Sequence, residues 1–295
     1  LEHGRSLFRG QCGPAGAMRV SVIDIGGNEV ATFDAAPTWG LQEVRSHVGE
    51  FARAASFHLR FLHGQQELSP GTTLQALGVS EGSQLTLVVS RPPPIITASK
   101  DGTAKIWSME SGECLRELGD HGDEVNSVAI SPDAAWALTA SSDDTAKIWS
   151  AESGQCLFTL MGHEDEVLSA AFSPDATRVL TANRDDIAKI WSAVSGQCLL
   201  TLTGHDDEVY SAIFSPDAAQ VLTASSDETA KIWSAESGEC LRSLTGHGGE
   251  VNSAVFSPDA TWVLTASSDE TAKIWSVASG QCLLTLAGHE ERLRS

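Results

Sequence analysis

AKIWS occupies residues 146–150, and the same pentapeptide stands at 104–108, 188–192, 230–234 and 272–276. Its tryptophans, Trp107, Trp149, Trp191, Trp233 and Trp275, are therefore 42 residues apart at every step. A fixed period of this length marks a repeat architecture, in which one supersecondary unit is stacked on copies of itself. Other residues keep the same frame. Asp101, Asp143, Asp185, Asp227 and Asp269 each lie six residues before a Trp, and Thr97, Thr139, Thr181, Thr223 and Thr265 each lie ten before it. His121, His163, His205 and His247 stand 28 residues before the last four tryptophans, and His289 starts the frame once more.

Each unit holds four short apolar stretches, for example Glu166–Ser173, Thr177–Ala182, Ile187–Ser192 and Gln197–Leu202. Between them lie SPDA, NRDD, AVSG and TGHDDE, rich in the residues that bond their own backbone, fix φ or allow positive φ. No window carries a sustained apolar period of 3.6 residues. Short strands between tight turns predict an antiparallel four-stranded unit. One such sheet cannot bury both its faces, so neighbouring units must cover one another.

The His, SPD, Asp and AKIW elements at this spacing resemble the WD-repeat β-propeller family, over residues 95 to 295. Ser follows each Trp where that family usually has Asp. The resemblance implies a polar network in which the Trp149 indole meets Thr139, Thr139 meets His121, and His121 meets Asp143. It implies the same for His163, Thr181, Asp185 and Trp191, for His205, Thr223, Asp227 and Trp233, and for His247, Thr265, Asp269 and Trp275. Residues 95–118 contain only three strands, and complete units run over 119–160, 161–202, 203–244 and 245–286. Family ring closure implies that Glu291–Ser295 supplies the missing strand, so that His289 joins Thr97, Asp101 and Trp107 in a five-unit ring. Family members usually have seven blades, so an arc of a larger ring is the alternative expectation.

Residues 1–17 are Gly-rich, lack a long apolar run and are expected to be a disordered lead. Residues 18–90 form a separate unit. MRVSVIDI alternates as a strand, Gly26–Asn28 turns it, and Glu29–Phe33 returns. Leu41–Ala52 has Leu41, Val44, Val48 and Phe51 on one helical stripe, with Thr38 as a candidate cap. Phe57–Leu62 and Gln84–Val89 read as later strands. This order, ending in LQALGVSEGSQLTLVV, resembles the ubiquitin-like β-grasp fold, an α+β domain. The resemblance implies a receptor-binding patch on Leu62, Thr86 and Val88. Residues 91–94, with three prolines, form a short stiff linker to the mainly β repeat domain of residues 95–295.

The 295 residues carry 39 acidic and 19 basic side chains, a formal charge of −20. That balance disfavours nucleic acid as a partner, since phosphate binding needs a positive surface. No run of about 18 apolar residues is present to span a bilayer as a helix. Cys114, Cys156, Cys198, Cys240 and Cys282 fall on one position of successive units, too far apart to bridge. Free thiols and a reducing compartment, the cytoplasm or the nucleus, are expected. Neither a metal nor a cofactor is expected, because the histidines come one per unit and do not converge. The Thr-His-Asp sets recur in equivalent copies, whereas catalysis needs one cleft.

Function is therefore sought where the units differ. Acidic residues crowd the loops at Asp123–Glu124, Glu164–Glu166, Asp206–Glu208 and Glu290–Glu291, and the turns at Asp144, Asp186, Glu228 and Glu270. The expectation is one negative rim that takes a basic protein or peptide. Arg184 and Tyr210, with Glu164, Asp165, Asp206 and Asp207, are the candidate contact residues. The reading is a non-catalytic interaction scaffold. The alternatives are a substrate-receptor subunit of a ubiquitin ligase or other signalling complex, and a fragment of a larger repeat protein.

Overall fold

The alternation of MRVSVID buries Met18, Val20 and Val22 on one face of strand β1 (Met18–Asp24). The computed structural model describes residues 17–24, 29–48, 58–69, 71–90 and 94–293. Residues 1–16 of the lead, the Gly26–Asn28 turn and residues 91–93 of the linker lie outside the described residues. The chain divides into two compact units, Leu1–Pro93 and Pro94–Ser295.

In the first unit β1 pairs with β2 (Glu29–Ala35), and β3 (His58–His63) with β4 (Gln66–Glu67) and β5 (Gln84–Ser90). The sheet order is β2-β1-β5-β3-β4, with β1 parallel to β5. Its core joins Val20, Val22, Phe61, Leu85 and Leu87 to Val44, Leu68 and Leu74. One helix, α1, covers only Leu41–His47. Residues 49–57, into which the expected helix continued, lie outside the described residues. Thr38 is not the cap. Glu43 reaches back to accept from the Gly40 N–H at 3.0 Å, half of a capping box. Among the described residues one helix of seven residues stands beside five strands, which does not support the expected α+β ubiquitin-like domain, and this unit is β-rich. Two turns suffice to seat Val44 and Val48 on the core, and that is the apolar stripe the sequence pattern had detected. The expected receptor patch rested on that likeness. Leu62 and Thr86 are half-buried register partners on β3 and β5, and Val88 pairs with Arg60.

In the second unit every repeat forms its own antiparallel sheet. Repeat 1 has β6 (Ile95–Ala98), β7 (Ala104–Trp107) and β8 (Cys114–Leu118). Repeat 2 has β9 (Val125–Ile130), β10 (Trp136–Ser141), β11 (Ala146–Ser150) and β12 (Cys156–Leu160). Repeat 3 has β13 (Val167–Phe172), β14 (Arg178–Asn183), β15 (Ala188–Ser192) and β16 (Cys198–Leu202). Repeat 4 has β17 (Val209–Phe214), β18 (Gln220–Ser225), β19 (Ala230–Ser234) and β20 (Cys240–Leu244). Repeat 5 has β21 (Val251–Phe256), β22 (Trp262–Ser267), β23 (Thr271–Ser276) and β24 (Cys282–Ala287). Strand order within each sheet follows the chain.

Apolar cores form between the sheets. Leu138, Ile148 and Leu160 of repeat 2 pack on Val167, Val179 and Trp191 of repeat 3. Leu180, Ile190 and Leu202 pack in the same way on Val209, Val221 and Trp233, and Leu222, Ile232 and Leu244 on Val251, Val263 and Trp275. The middle strands β10, β14 and β18 are buried along nearly their whole length because both their faces are covered. Gly204 explains the Gly before His: its φ is +139°, and a Cβ there would stand 3.5 Å from the Trp233 ring. L side chains rarely adopt that backbone conformation.

No sheet is closed into a propeller ring, which corrects the expected closure. Repeat 1 stays three-stranded. The Leu293 N–H donates to Ser267 O of repeat 5 at 3.0 Å, as the Val125 N–H donates to Ser99 O of repeat 1 at 3.1 Å. The segment from Glu291 thus continues the stepwise progression from one repeat to the next, but none of its described residues adds a strand to β6. Residues 294–295 lie outside the described residues. The far face of repeat 5 remains uncovered. Leu264 is 40% exposed and Leu286 47%, against 1% for Leu222 and 0% for Leu244.

The interlocked packing predicts unequal costs of losing a Trp. Trp191 is buried between two sheets, and Trp191→Ala should cost about 3–5 kcal/mol, as expected for emptying a large aromatic site. Trp107 is only half-buried, so Trp107→Ala should cost clearly less. Urea unfolding of the two variants compares them, and equal costs would contradict the packing.

Candidate functional site

The polar network occupies the seam between the second and third strands and the loop before the first. In repeat 2 the Trp149 indole N–H donates to Thr139 Oγ1 at 2.9 Å. His121 Nε2 is 2.6 Å from the same oxygen, and His121 Nδ1 is 2.8 Å from Asp143 Oδ2. Thr139 accepts from Trp149, so its hydroxyl proton is directed at His121 Nε2. His121 then carries its own proton on Nδ1 and donates it to Asp143. One neutral tautomer satisfies the whole chain. Repeat 4 repeats it through Trp233, Thr223, His205 and Asp227 at 2.8, 2.7 and 2.7 Å. Repeat 5 repeats it through Trp275, Thr265, His247 and Asp269 at 2.8, 2.7 and 2.8 Å.

Two repeats differ. In repeat 3 the Trp191 indole meets Thr181 at 2.8 Å and Thr181 meets His163 at 2.7 Å, but His163 Nδ1 has no partner and Asp185 does not close the set. In repeat 1 Trp107 donates to Thr97 at 2.9 Å and Asp101 accepts from Thr103 at 2.7 Å. His289 stays exposed and does not join that set.

Two further groups complete the turns. Thr145, Thr229 and Thr271 donate from Oγ1 to the Oδ1 of Asp143, Asp227 and Asp269 at 2.6–2.7 Å. Ser141, Ser225 and Ser267 donate to the carbonyls of Asp123, Asp207 and Gly249. Sequence reading passed over both groups, although the recurrence of Ser-Ser-Asp-x-Thr in three repeats is a signal that could have found them.

Burial, opposed by the nearby carboxylates of Asp143 and Asp227, holds His121 and His205 below the usual histidine pKa. Burial takes His163 down to about 4. Burial also opposes ionisation of Asp143, but the bonds from Thr145, the Gly122 N–H and His121 outweigh it and hold its pKa at about 2. These groups are committed to the fold, and among the described residues no cluster of three or more His, Cys, Asp or Glu is arranged to hold a metal.

The loops before each first strand and the turns between second and third strands meet on one edge. Ser142 N donates to Glu124 O, and Ser226 N to Glu208 O. Glu164, Asp165, Asp206 and Asp207 are exposed there. Asp144, Asp186, Glu228 and Glu270 sit at the turn tips with φ of +63° to +66°, where repeat 1 has Gly102. Desolvation, followed by the charge of Asp165 in the next repeat, raises the Asp144 pKa. Asp186 is raised likewise, by desolvation and then Asp207. The carboxylates of successive repeats therefore crowd one another across the repeat boundaries. Basic groups enter this edge at few points. Lys100 pairs with Glu124 at 2.8 Å, and Arg184 lies 3.5 Å from Glu166 and 3.8 Å from Glu208. Arg184, Tyr210, Glu250, Asn252 and Arg292 line one cavity of about 560 Å³, in which Tyr210 is half-buried.

A family model described as "WD domain, G-beta repeat" matches residues 112–150, 154–192, 196–234 and 238–276, more than half of the chain. The chain belongs to the WD-repeat family. Each matched WD unit starts with the last strand of one sheet and ends with the third strand of the next, so each unit ties two sheets together. The WD repeat-containing protein 37 of Mus musculus is 44% identical over 52 residues, which is 17% of this chain and 10% of that protein. Its Xenopus tropicalis counterpart is 42% identical over 52 residues. The chain thus spans about a tenth of the length of these curated relatives.

The buried WD-repeat histidines set a pH dependence. His121, His163 and His205 are neutral in the fold but protonate in the unfolded chain at about pH 6.5. The unfolded state then binds more protons, so stability is full above that pH and falls as pH drops toward about 4, where His163 protonates in the fold. The Asp143 contribution is present above about pH 4 and is lost as pH falls toward its folded value of about 2. The urea midpoint should therefore be flat above about pH 7 and fall in two stages below it. A midpoint that rises on acidification contradicts the neutral-histidine network.

Proposed function

We propose that this WD-repeat chain is a non-catalytic protein-interaction scaffold whose recognition surface is the acidic edge of the repeat array. The observation that carries the reading is the crowding of carboxylates from neighbouring repeats, with Asp144 raised by desolvation and then by Asp165 of the next repeat. Like charges held together by the fold are relieved when a cation arrives, so a partner rich in Lys or Arg gains both Coulomb attraction and that relief. Tyr210, Arg184 and the cavity they line offer an aromatic and mixed-charge contact on this edge. Aromatic side chains are enriched among energetically dominant interface residues. The Thr, His and Asp sets that could imitate a hydrolase are engaged in holding strands and loops together in repeats 2, 4 and 5. Cys114, Cys156, Cys198, Cys240 and Cys282 are free thiols on the fourth strands of repeats 2–5 and the last strand of repeat 1. That arrangement fits a reducing compartment, the cytoplasm or nucleus.

Reversing Glu164, Asp165, Asp206 and Asp207 to Lys should lower the association rate for an arginine-rich peptide about ten- to a hundredfold at low salt, with little change in dissociation. Surface plasmon resonance on the full chain at two ionic strengths reads both rates. Equal association rates for the parent and the reversed chain would remove the acidic edge as the recognition surface.

A further inference from the structure

Repeat 3 departs from its sisters in one turn. Between β14 and β15 it reads Asn183-Arg184-Asp185-Asp186-Ile187, where repeat 2 reads Ser141-Ser142-Asp143-Asp144-Thr145 and repeat 4 reads Ser225-Ser226-Asp227-Glu228-Thr229. The sister turns are tied inward by short, sheltered bonds. The Asp143 N–H donates to Ser141 Oγ at 3.1 Å, Ser141 Oγ–H to Asp123 O at 3.2 Å, and Thr145 Oγ1–H to Asp143 Oδ1 at 2.6 Å. The same three bonds measure 3.0, 2.9 and 2.6 Å in repeat 4. In repeat 3 Ile187 has no hydroxyl to offer, and Asp185 Oδ1 is left without a partner. Asn183 is fully buried beside the His163 ring, and His163 Nδ1 does not meet Asp185 as His121 Nδ1 meets Asp143.

Two backbone ties are shared with the sister turns: the Arg184 N–H donates to Glu166 O at 3.1 Å, as the Ser142 N–H does to Glu124 O, and the Glu164 N–H to Asp185 Oδ2 at 2.9 Å, as the Gly122 N–H does to Asp143 Oδ2. What differs is the side chain that takes the place of the Ser and Thr ties. The Arg184 guanidinium lies between Glu166 of its own repeat and Glu208 of the next, at 3.5 and 3.8 Å. Those two glutamates are equivalent residues, 42 positions apart. The Arg184 side chain is 43% exposed, so its pairs are screened by salt. Opening a sister turn breaks the Ser and Thr ties as well as the shared backbone ones, whereas opening this turn breaks only the shared ties and the screened Arg184 pairs.

We propose that the β14–β15 turn is an electrostatic latch: it is held closed across the repeat boundary by Arg184 and opens at lower cost than the equivalent turns. A cationic group that takes Glu166 and Glu208 from Arg184 releases it, beside Tyr210 and the cavity on the same edge. This trigger rests on the basic-partner reading given above, whereas the unequal opening of the turns does not.

Hydrogen exchange on the full chain, read by mass spectrometry and corrected for intrinsic rates, tests it. Amides of residues 183–188 should exchange about tenfold or more faster than those of 141–146 and 225–230. Raising salt from about 0.05 to about 0.5 M should widen the gap, because screening weakens the Arg184 pairs. The double variant Asn183→Ser, Ile187→Thr uses residues already present in the sister turns and should restore their protection. Arg184→Ser alone should give fast exchange that no longer responds to salt. Equal protection of the three turns, or an unchanged rate in the double variant, would overturn the latch. Adding an octa-arginine peptide should speed exchange at 183–188. A peptide that binds without changing that exchange refutes the trigger. A peptide that fails to bind counts against the basic-partner reading, and the comparison of the three turns still judges the latch.

Discussion

The indole of each buried tryptophan holds two sheets at once. Its N–H is anchored on a Thr hydroxyl in its own sheet, at 2.8–2.9 Å in repeats 2 to 5. Its ring packs against the previous sheet, as Trp191 does on repeat 2 and Trp233 on repeat 3. A large apolar surface with one polar handle suits this task, because the handle finds a fixed partner while the ring is removed from water. The Thr cannot be replaced by an apolar isostere without leaving both the indole N–H and the imidazole Nε2 unpaired. His and Asp then extend the anchor to the loop and the turn. Strand pairing, inter-sheet packing and the placement of the edge loops all depend on that one contact.

The sequence unit and the sheet are out of phase, and the offset has a physical consequence. Each matched unit contributes the last strand of one sheet and the first three strands of the next. Asn126 shows the coupling at atomic scale, since its amide donates to Ser142 Oγ in its own sheet and to Val167 O in the following one. Neighbouring sheets are thus joined by covalent continuity, by hydrogen bonds and by a shared core. Asn252 repeats this coupling, donating to Ser268 Oγ and Leu293 O, whereas Leu168 and Tyr210 take the position in repeats 3 and 4, so the repeats differ at this strand start as well as in the loops and turns of the edges.

On the acidic edge those differences are electrostatic. Successive repeats place carboxylates at equivalent positions, and their proximity raises Asp144 and Asp186 above the usual carboxylate pKa, with desolvation the first cause and the neighbouring repeat's Asp the next. Only a few cations relieve the crowding, among them Arg184, which spans two repeats. It occupies the turn that has lost its Ser and Thr ties. The same local exchange of residues therefore weakened the internal hydrogen bonding of repeat 3 and supplied a charge that reaches across the boundary.

Much of the repeat region was legible in the residues themselves. The fixed period, four apolar stretches per unit and the turn residues between them led to separate antiparallel sheets, because strand length and turn chemistry are local properties. The sets of Trp, Thr, His and Asp could be named from the family likeness because they recur. Their individual states could not, since whether His163 meets Asp185 depends on Asn183 and Ile187 acting together in a folded turn. The N-terminal unit was misread because an apolar stripe does not state where a helix ends. Leu41, Val44 and Val48 fit a long helix as well as the seven-residue one that forms. Ring closure was misread because equivalence of position is not proximity: the phase of the repeats put His289 in the right place along the chain, but the Leu293 backbone pairs with Ser267 of the preceding repeat. Local patterning by itself determined the strands, the turns and the repeated unit. The tertiary structure alone decided which equivalent groups meet, because hydrogen bonding and ion pairing are set by distances of a few ångströms between segments far apart in sequence.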